Sequence, residues 1–159
     1  MEFGNTFFLG ESIGGLIVDW KLFEESAPAD ARLVKGSMER TERAYGPVVK
    51  AVGGDRGFYS QANDQELKER EIFNGLCPRQ PQELQRRGQS RKFKKLQRRR
   101  AQTEGRIAIL TNQFLGEPLR SKGFEHRELA VTWGVMAHNL WVLARCRIAA
   151  AKEAEKQAA

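Results

Sequence analysis

Two acidic residues stand where carboxylates could act on a phosphodiester. Asp55 follows a short apolar run, residues 48–52, inside the motif Gly53-Gly-Asp-Arg-Gly-Phe58. Glu104 comes four residues after Arg100, in a segment rich in arginine and lysine. Carboxylates that converge from different elements can hold two divalent ions, which activate a nucleophile and stabilise a leaving oxygen. We therefore take Asp55 and Glu104 as candidate metal ligands.

Each of these carboxylates also has a purely structural explanation. Asp55 could cap a turn, because the neighbouring glycines allow the backbone to reverse sharply. Glu104 could form an ion pair with Arg100, which lies one helical turn earlier. Since Glu104 also borders the apolar stripe that includes Ile107, we expect it to face a sheet. Position alone leaves both explanations open for each residue.

The positive charge of the chain is concentrated in one segment. The net charge is +7, yet residues 86–100 hold nine lysines and arginines without one acid, so the remainder is slightly negative. Such a stripe fits the phosphate backbone of DNA, although it could also be a solvated helix face. Only Phe93 is interleaved, which favours phosphate contact over base stacking. The predicted DNA-binding residues are Arg91, Lys92, Lys94, Lys95, Arg98, Arg99 and Arg100.

The first half of the chain reads as strands alternating with helices. Period-two alternation in residues 3–9 and 16–23 predicts a hairpin. Asp30 is the expected N-cap of a helix that ends at Gly46. Residues 48–52 and 72–77 predict two parallel strands, since a crossover separates them. Between them, the pattern Asn63-Asp-Gln-Glu66 resembles a capping box that opens a second helix, ending at Arg70.

The second half is predicted to be helical. Residues 80–90 are polar and predict a loop. A long basic helix follows, which Gly116 and Pro118 end. Residues 128–148 predict a buried last helix, because apolar side chains cover most of its faces. Residues 149–159 have no apolar anchor and are expected to fray.

Composition places the chain in the cytoplasm. Cys77 and Cys146 belong to no metal-binding or redox spacing and are expected to be reduced, structural thiols. His126 and His138 have no nearby cysteine or histidine partner and are expected to be structural as well. No signal peptide is visible at the N-terminus. The most apolar stretch, residues 129–144, is shorter than the ~20 residues that a membrane span needs.

Several motifs, in order, resemble the C-terminal part of the insertion-sequence DDE transposases. They are Glu2-Phe-Gly-Asn5, Gly15-Leu-Ile-Val-Asp-Trp20, Asp55-Arg-Gly-Phe58, Arg98-Arg-Arg-Ala-Gln-Thr-Glu104 and Ala137-His-Asn-Leu-Trp141. The resemblance implies an RNase H-like fold, with a mixed sheet flanked by helices. It also implies that Asp55 and Glu104 are the second and third catalytic acids, which bind Mg²⁺ or Mn²⁺. We expect their carboxylates to lie within about 4–8 Å of each other.

Two positions depart from the signature that this family carries on the same helix. Arg100 matches its arginine, but Gln97 stands where the tyrosine is expected and Thr111 where the lysine is expected. The first acid has no match either. Asp19 would need two more strands before Asp55, and Asp30 is better explained as a helix cap. We therefore expect a chain that begins after the first strand of the fold and leaves a sheet edge open for self-association.

These inferences give one leading hypothesis and two alternatives. In the first, residues 1–148 are the C-terminal part of a bacterial transposase catalytic domain, which binds DNA at the nucleoid but does not cut it alone. In the second, the chain is a non-catalytic basic DNA-binding protein. In the third, it is an intact RNase H-like nuclease with an unusual set of acids.

Overall fold

The computed structural model describes residues 5–116 and 119–158. They form two compact units, of which the first comprises residues 5–10 and Asp19–Gly105. The second comprises Glu11–Val18 and residues 106–158. Helices and two small sheets make up the described part, so the predicted mixed α/β class is confirmed. Pro118, which was predicted to help end the long basic helix, and residues 2–4, which belong to the first family motif, lie outside the described residues.

The chain opens with the predicted hairpin and helix. β1 (Thr6–Glu11) and β2 (Ile17–Phe23) form a two-stranded sheet, and α1 spans Asp30–Tyr45. Gly46 ends α1 with a positive φ of 78° and donates its N–H to a carbonyl of the last turn, as a C-terminal glycine does. The expected N-cap was wrong: Ala29 holds that position without a side-chain bond, and Asp30 is the first helical residue.

A parallel pair of strands forms the sheet of the first unit. β3 (Ala51–Gly54) pairs with β4 (Phe73–Leu76) in parallel, which confirms the predicted pairing. The predicted start of β3 was wrong by three residues. Val48 donates its N–H to the carbonyl of Gly46, and this turn keeps the chain out of the strand. Within the described residues β3 has β4 as its sole strand partner, so its other edge is open.

The core of the first unit lies between α1, β4 and α2 (Gln61–Glu69). Its buried members are Val34, Met38, Leu67, Ile72 and Leu76. The predicted capping box at Asn63 was wrong, because the N-cap of α2 is Ser60, whose hydroxyl accepts the N–H of Asn63. The Asn63 amide is buried instead and donates to the carbonyls of Ala31 and Phe58 at 2.8 and 2.9 Å. This side chain therefore fixes the start of α1 against the loop after β3.

The segment predicted as a loop, residues 80–90, contains a helix. α3 spans Pro81–Arg87, with proline in the first turn and Glu83 behind it. Proline suits this position because its missing N–H would be unpaired there anyway. α4 (Arg91–Ile109) follows as predicted and continues as a π-helical segment, Leu110–Leu115, which ends at Gly116.

Helix α4 lies along the parallel sheet and runs in the direction of its strands. Lys92 lies over the ring of Phe73, at the start of β4. One turn later, Leu96 lies against the glycines of both strands. Gln97 then donates to the carbonyls of Gly54 and Gly75 at 3.2 and 2.7 Å, near the carboxyl ends of the strands. The helix therefore carries residues 98–104 beyond the edge where Asp55 follows β3.

The second unit is built on α5 (Phe124–Ala158), which is longer than predicted at both ends. The predicted boundary at Ile148 was wrong, since the helix continues through residues 149–158; fraying of these turns in solution stays a prediction. One face of α5 is buried, at Val131, Val135, His138 and Val142. Asn139 ties the helix to Ile17, whose N–H and carbonyl both bond to the Asn139 amide.

The expectation that α5 is covered on most sides was wrong. A second set of large apolar side chains, the outer stripe, is 45–59% exposed. Its members are Leu129, Trp133, Met136, Leu140 and Leu143. Among the described residues, no helix is both long enough and apolar enough to cross a membrane.

The close approach of α4 to the sheet predicts opposite effects for two glycines. A Cβ at Gly75 would lie 2.6 Å from Leu96 Cδ1 and 2.9 Å from the carbonyl oxygen of Val52. Gly75→Ala should therefore lower the free energy of unfolding by about 1–3 kcal/mol, because the helix or the strand must shift. Gly105→Ala is the matched control. It adds a methyl group to α4 where nothing lies within 4 Å and should stabilise by roughly 0.5–1 kcal/mol. Urea denaturation measures both; equal effects would contradict the docking of α4.

Candidate active site and DNA-binding surface

Asp55 follows the last residue of β3, at the carboxyl end of the parallel pair. Ligands of open α/β sheets bind at this edge. Its Oδ1 accepts the N–H of Gly57 at 2.8 Å, so the carboxylate folds back over its own turn. The turn-capping explanation is therefore confirmed as a contact. It does not compete with a role as ligand, because a carboxylate with one such bond keeps further lone pairs.

Glu104 and Arg100 lie beyond the end of the sheet. Both are on the side of α4 that carries Phe93 and Leu96, since seven residues are close to two helical turns. The expectation that Glu104 faces the sheet was wrong: its side chain is 70% exposed, because the helix has passed the strand ends. Its Oε1 is 3.7 Å from Arg100 Nη1, which confirms the predicted i−4 ion pair. A shared metal between Asp55 and Glu104 stays a prediction.

The two other acids weighed from the sequence have different surroundings. Asp19 is buried and forms two bonds of 2.8 Å with Arg40 of α1. The Asp19 carboxylate raises the pKa of the Arg40 guanidinium above its ordinary value, mainly through this hydrogen bonding. Asp19 is thus held in a buried ion pair with α1.

Asp30 lies close to Asp55, which its sequence position did not reveal. A Cβ added at Gly57 would lie 2.5 Å from Asp30 Oδ2 and 3.1 Å from Asp55 Oδ1. The two oxygens are therefore at most about 6 Å apart, so both carboxylates lie beside the same turn. The sequence gives no sign of this proximity, because it arises only in the tertiary structure, where α1 starts beside the turn after β3.

These carboxylates do not complete a metal centre. In the described part of the chain, no group of three or more histidine, cysteine, aspartate or glutamate side chains could hold a metal ion. A two-metal site for phosphodiester chemistry needs carboxylates from several elements. The donors present therefore do not by themselves fit a resident Mg²⁺ or Mn²⁺ pair.

The lysines and arginines of residues 86–100 differ in the contacts that they make. Arg91, Lys94, Lys95 and Arg98 are exposed and recur at steps of three, one and three residues. This spacing places them on one face of α4, opposite Phe93 and Leu96. We call these four residues the basic face. Lys92 lies on its flank over Phe73, and Arg99 contacts Gln102.

Arg87 has a structural role instead. Its guanidinium bonds Asp64 at 2.7 Å and Glu83 at 2.5 Å, and it lies over the ring of Tyr59. Only 14% of its side chain is exposed. We call Arg87, Asp64, Glu83, Tyr59 and Asn74, which also donates to Asp64, the Arg87 network. It fixes α3 against α2 and β4, so the charge of Arg87 is paired within the fold.

The family model of the transposase DDE domain matches residues 13–140, well over half of the chain. The chain belongs to this family. No curated protein and no solved structure matches it significantly. The match includes α4, both strands of the parallel sheet and α5 as far as Leu140.

Membership in this family confirms that the motifs are those of a DDE transposase. The structure adds a role for one of the departures from the family signature. Gln97 stands where a tyrosine is expected, and its amide joins α4 to both strands. The sequence did not predict this role, because a glutamine in a polar helix does not indicate which backbone carbonyls it will contact.

The Arg87 network predicts how stability depends on pH. Burial opposes ionisation of Asp64, but hydrogen bonds from Arg87 and Asn74 together lower the pKa of its carboxyl below the ordinary value. The stabilisation is therefore present above about pH 4 and is lost as the pH falls through the lowered pKa. The urea concentration at the unfolding midpoint should fall between neutral and strongly acidic pH. Asp64→Asn should make this fall smaller, because the variant has no carboxylate to protonate. Glu153→Gln, an exposed change in α5, is the control. A slope unchanged by Asp64→Asn would contradict the assignment.

Proposed function

We propose that this chain functions in DNA transposition and holds duplex DNA through the basic face of α4. The observation that carries the proposal is the set of four exposed cations, Arg91, Lys94, Lys95 and Arg98, on a helix with no acid among residues 86–100. Like charges at three- and four-residue steps destabilise an isolated helix. A polyanion removes this repulsion, and the phosphates of DNA provide one.

The placement of α4 supports a link between this surface and the acids. Gln97 and Leu96 hold the helix to the sheet, and the outward cations lie on the opposite side of the same turns. The helix then continues past the edge that Asp55 occupies. DNA bound along the basic face would lie on the opposite side of α4 from Glu104, about the width of one helix, 10 Å, away. We propose Asp55 and Glu104 as the second and third acids of an RNase H-like DDE domain that uses Mg²⁺ or Mn²⁺.

A second function, DNA binding without catalysis, is favoured by a specific observation. The Glu104 side chain is largely exposed and paired with Arg100, and the described residues contain no group of three or more acids, histidines or cysteines that could hold a metal ion. The chain would then bind DNA and leave the chemistry to another copy or another protein. The two functions differ in one measurable property, metal-dependent cleavage.

Binding to duplex DNA should depend strongly on salt and little on sequence. If about four to five cations reach phosphates, the logarithm of the binding constant should fall against the logarithm of salt with a slope near −4. Replacing Arg91, Lys94, Lys95 and Arg98 with glutamine should bring the slope close to zero. Fluorescence anisotropy with a labelled duplex, titrated at several salt concentrations, gives the slope.

A matched control for this experiment removes the same charge elsewhere. Arg145, Arg147, Lys152 and Lys156 are exposed on α5, outside the basic segment. Their replacement with glutamine should leave the slope nearly unchanged. Equal effects of the two quadruple variants would show that net charge, and not the basic face, determines binding.

We predict that the chain alone neither nicks nor joins DNA with Mg²⁺ or Mn²⁺. Two carboxylates hold a metal pair poorly, and no group of three or more potential metal ligands occurs in the part of the chain that the structure describes. Conversion of supercoiled plasmid to its open circular form is the measurement. Metal-dependent nicking that Asp55→Asn abolishes would contradict this prediction and favour the catalytic function.

A further inference from the structure

An open cleft of about 770 Å³, which we call the polar cleft, lies beside the turn that carries Asp55. Its walls come from the starts of α1 and α2, from α3 and from the loop before α3, all within the first unit. The Arg79 guanidinium, in one wall, contacts the carbonyl of Arg56, the residue after Asp55, at 3.5 Å. Ala31, the residue after Asp30, lines the cleft as well. The polar cleft therefore begins where the two carboxylates lie.

The size of the polar cleft suits an unpaired strand. Ligand sites in proteins have volumes of roughly 300–1,000 Å³, and this cleft is within that range. A cube of this volume has a side of roughly 9 Å, whereas the major groove of a DNA duplex is by itself about 12 Å wide. The cleft therefore admits a single strand but not the body of a duplex.

Carboxamides and guanidinium groups line the polar cleft. Gln61, Gln80 and Gln82 are exposed along it, and each carries both donors and acceptors. Such groups bond the edges of bases that no partner strand covers. Arg79 and Arg86 are exposed in its walls, and guanidinium groups match phosphate in a bidentate geometry. The lining thus offers contacts to both the base and the phosphate of an unpaired nucleotide.

The two acids in the lining are already paired. Asp64 and Glu83 are both bonded by the guanidinium of Arg87, at 2.7 and 2.5 Å. Arg86 is 3.8 Å from Glu83, yet 80% of its side chain is exposed, so its charge remains accessible to a phosphate. Together with Arg79, three guanidinium groups face two carboxylates, which leaves one positive charge at the polar cleft. The acids therefore do not exclude an anionic strand.

The position of the polar cleft complements the basic face. A duplex on the basic face lies across α4 from Glu104, whereas the cleft borders the turn of Asp55. Arg86 in the cleft and Arg91 on the basic face are five residues apart in sequence, which span at most about 18 Å. Because DNA rises about 3.4 Å per nucleotide along one strand, about six nucleotides cover this distance.

We propose that the polar cleft binds the unpaired end of a DNA strand whose duplex part lies on the basic face, a proposal that rests on the proposed function. Arg79 and Arg86 bind phosphates of this strand, and the three carboxamides bond its base edges. The strand then passes beside Asp55. The preferred substrate is accordingly a duplex with a single-stranded end.

Fluorescence anisotropy with three labelled duplexes tests the proposal. One duplex is blunt, and the other two carry an overhang of about six nucleotides on the 3′ or on the 5′ strand. One of the overhanging duplexes should bind the wild type about tenfold more tightly than the blunt one, because charge-assisted hydrogen bonds are added. Its salt slope should be steeper by about 1.4, since each of two single-strand phosphate contacts contributes about 0.7.

A double variant and a matched control locate this effect. Arg79→Gln combined with Arg86→Gln should bind all three duplexes with nearly the same constant and slope. Arg87 is kept, because it holds the fold together. Arg43→Gln combined with Lys50→Gln removes two exposed cations, in the last turn of α1 and just before β3. This control should keep the tenfold difference between the duplexes.

The blunt duplex tests the proposed function by itself, so the two failures are distinguishable. A wild type that binds all three duplexes equally would overturn the polar cleft as a binding site and leave the basic face standing. An overhang advantage that the double variant retains would overturn it too. No salt-dependent binding to any duplex would contradict the proposed function as well. The double variant should unfold at the same urea concentration as the wild type, since Arg79 and Arg86 are exposed.

Discussion

The contact between α4 and the parallel sheet is the constraint on which the candidate site depends. Leu96 lies against Gly53 and Gly75, and the Gln97 amide bonds one carbonyl from each strand. Side chains at those glycines would hold the helix away from the sheet. The close approach sets the direction of α4, and that direction decides which residues lie past the strand ends. Arg100 and Glu104 lie past the strand ends because of contacts made one and two turns earlier.

The cations of the basic segment have different roles, because some of them have acidic neighbours and others do not. Arg87 is surrounded by Asp64, Glu83 and the ring of Tyr59, so it is committed to holding α3 in place. The basic face has no acid within reach on its own helix, and its charge is available to phosphate. A guanidinium with two carboxylates gains strong hydrogen bonds, whereas one without them stays solvated until an anion arrives. The same residue type thus stabilises the fold in α3 and, in the proposed function, provides the DNA-binding surface in α4.

Helix α5 shows how one element can satisfy its own unit and still present an apolar surface. Its valines and His138 fill the space over the π-helical segment. The outer stripe lies on the other side of the same residues 129–144, where no charge is present to keep it solvated. Burial of apolar area stabilises by about 25 cal/mol per Å² before association costs are subtracted.

Much of this protein follows from its sequence alone, because the governing signals are local. The hairpin, the helix Asp30–Tyr45 with its terminal Gly46 and the parallel strands depend on periodicity and on glycine or proline at helix ends. The family follows from short motifs in order, and the basic segment from composition. Local signals were insufficient where neighbours distant in sequence decide the outcome. Asn63 is a buried tie and not a cap, since Ser60 reaches its N–H and its amide meets Ala31.

Other features were decided by tertiary structure. Asp30 lies near Asp55 because α1 starts beside the turn after β3. Glu104 is exposed because α4 extends past the ends of the strands. The sequence of α5 determined two apolar stripes but not which one is covered. That choice depends on which face meets the π-helical segment, and periodicity gives both faces the same weight. Sequence therefore determined the elements and the family, while packing decided which side chains meet and which remain exposed.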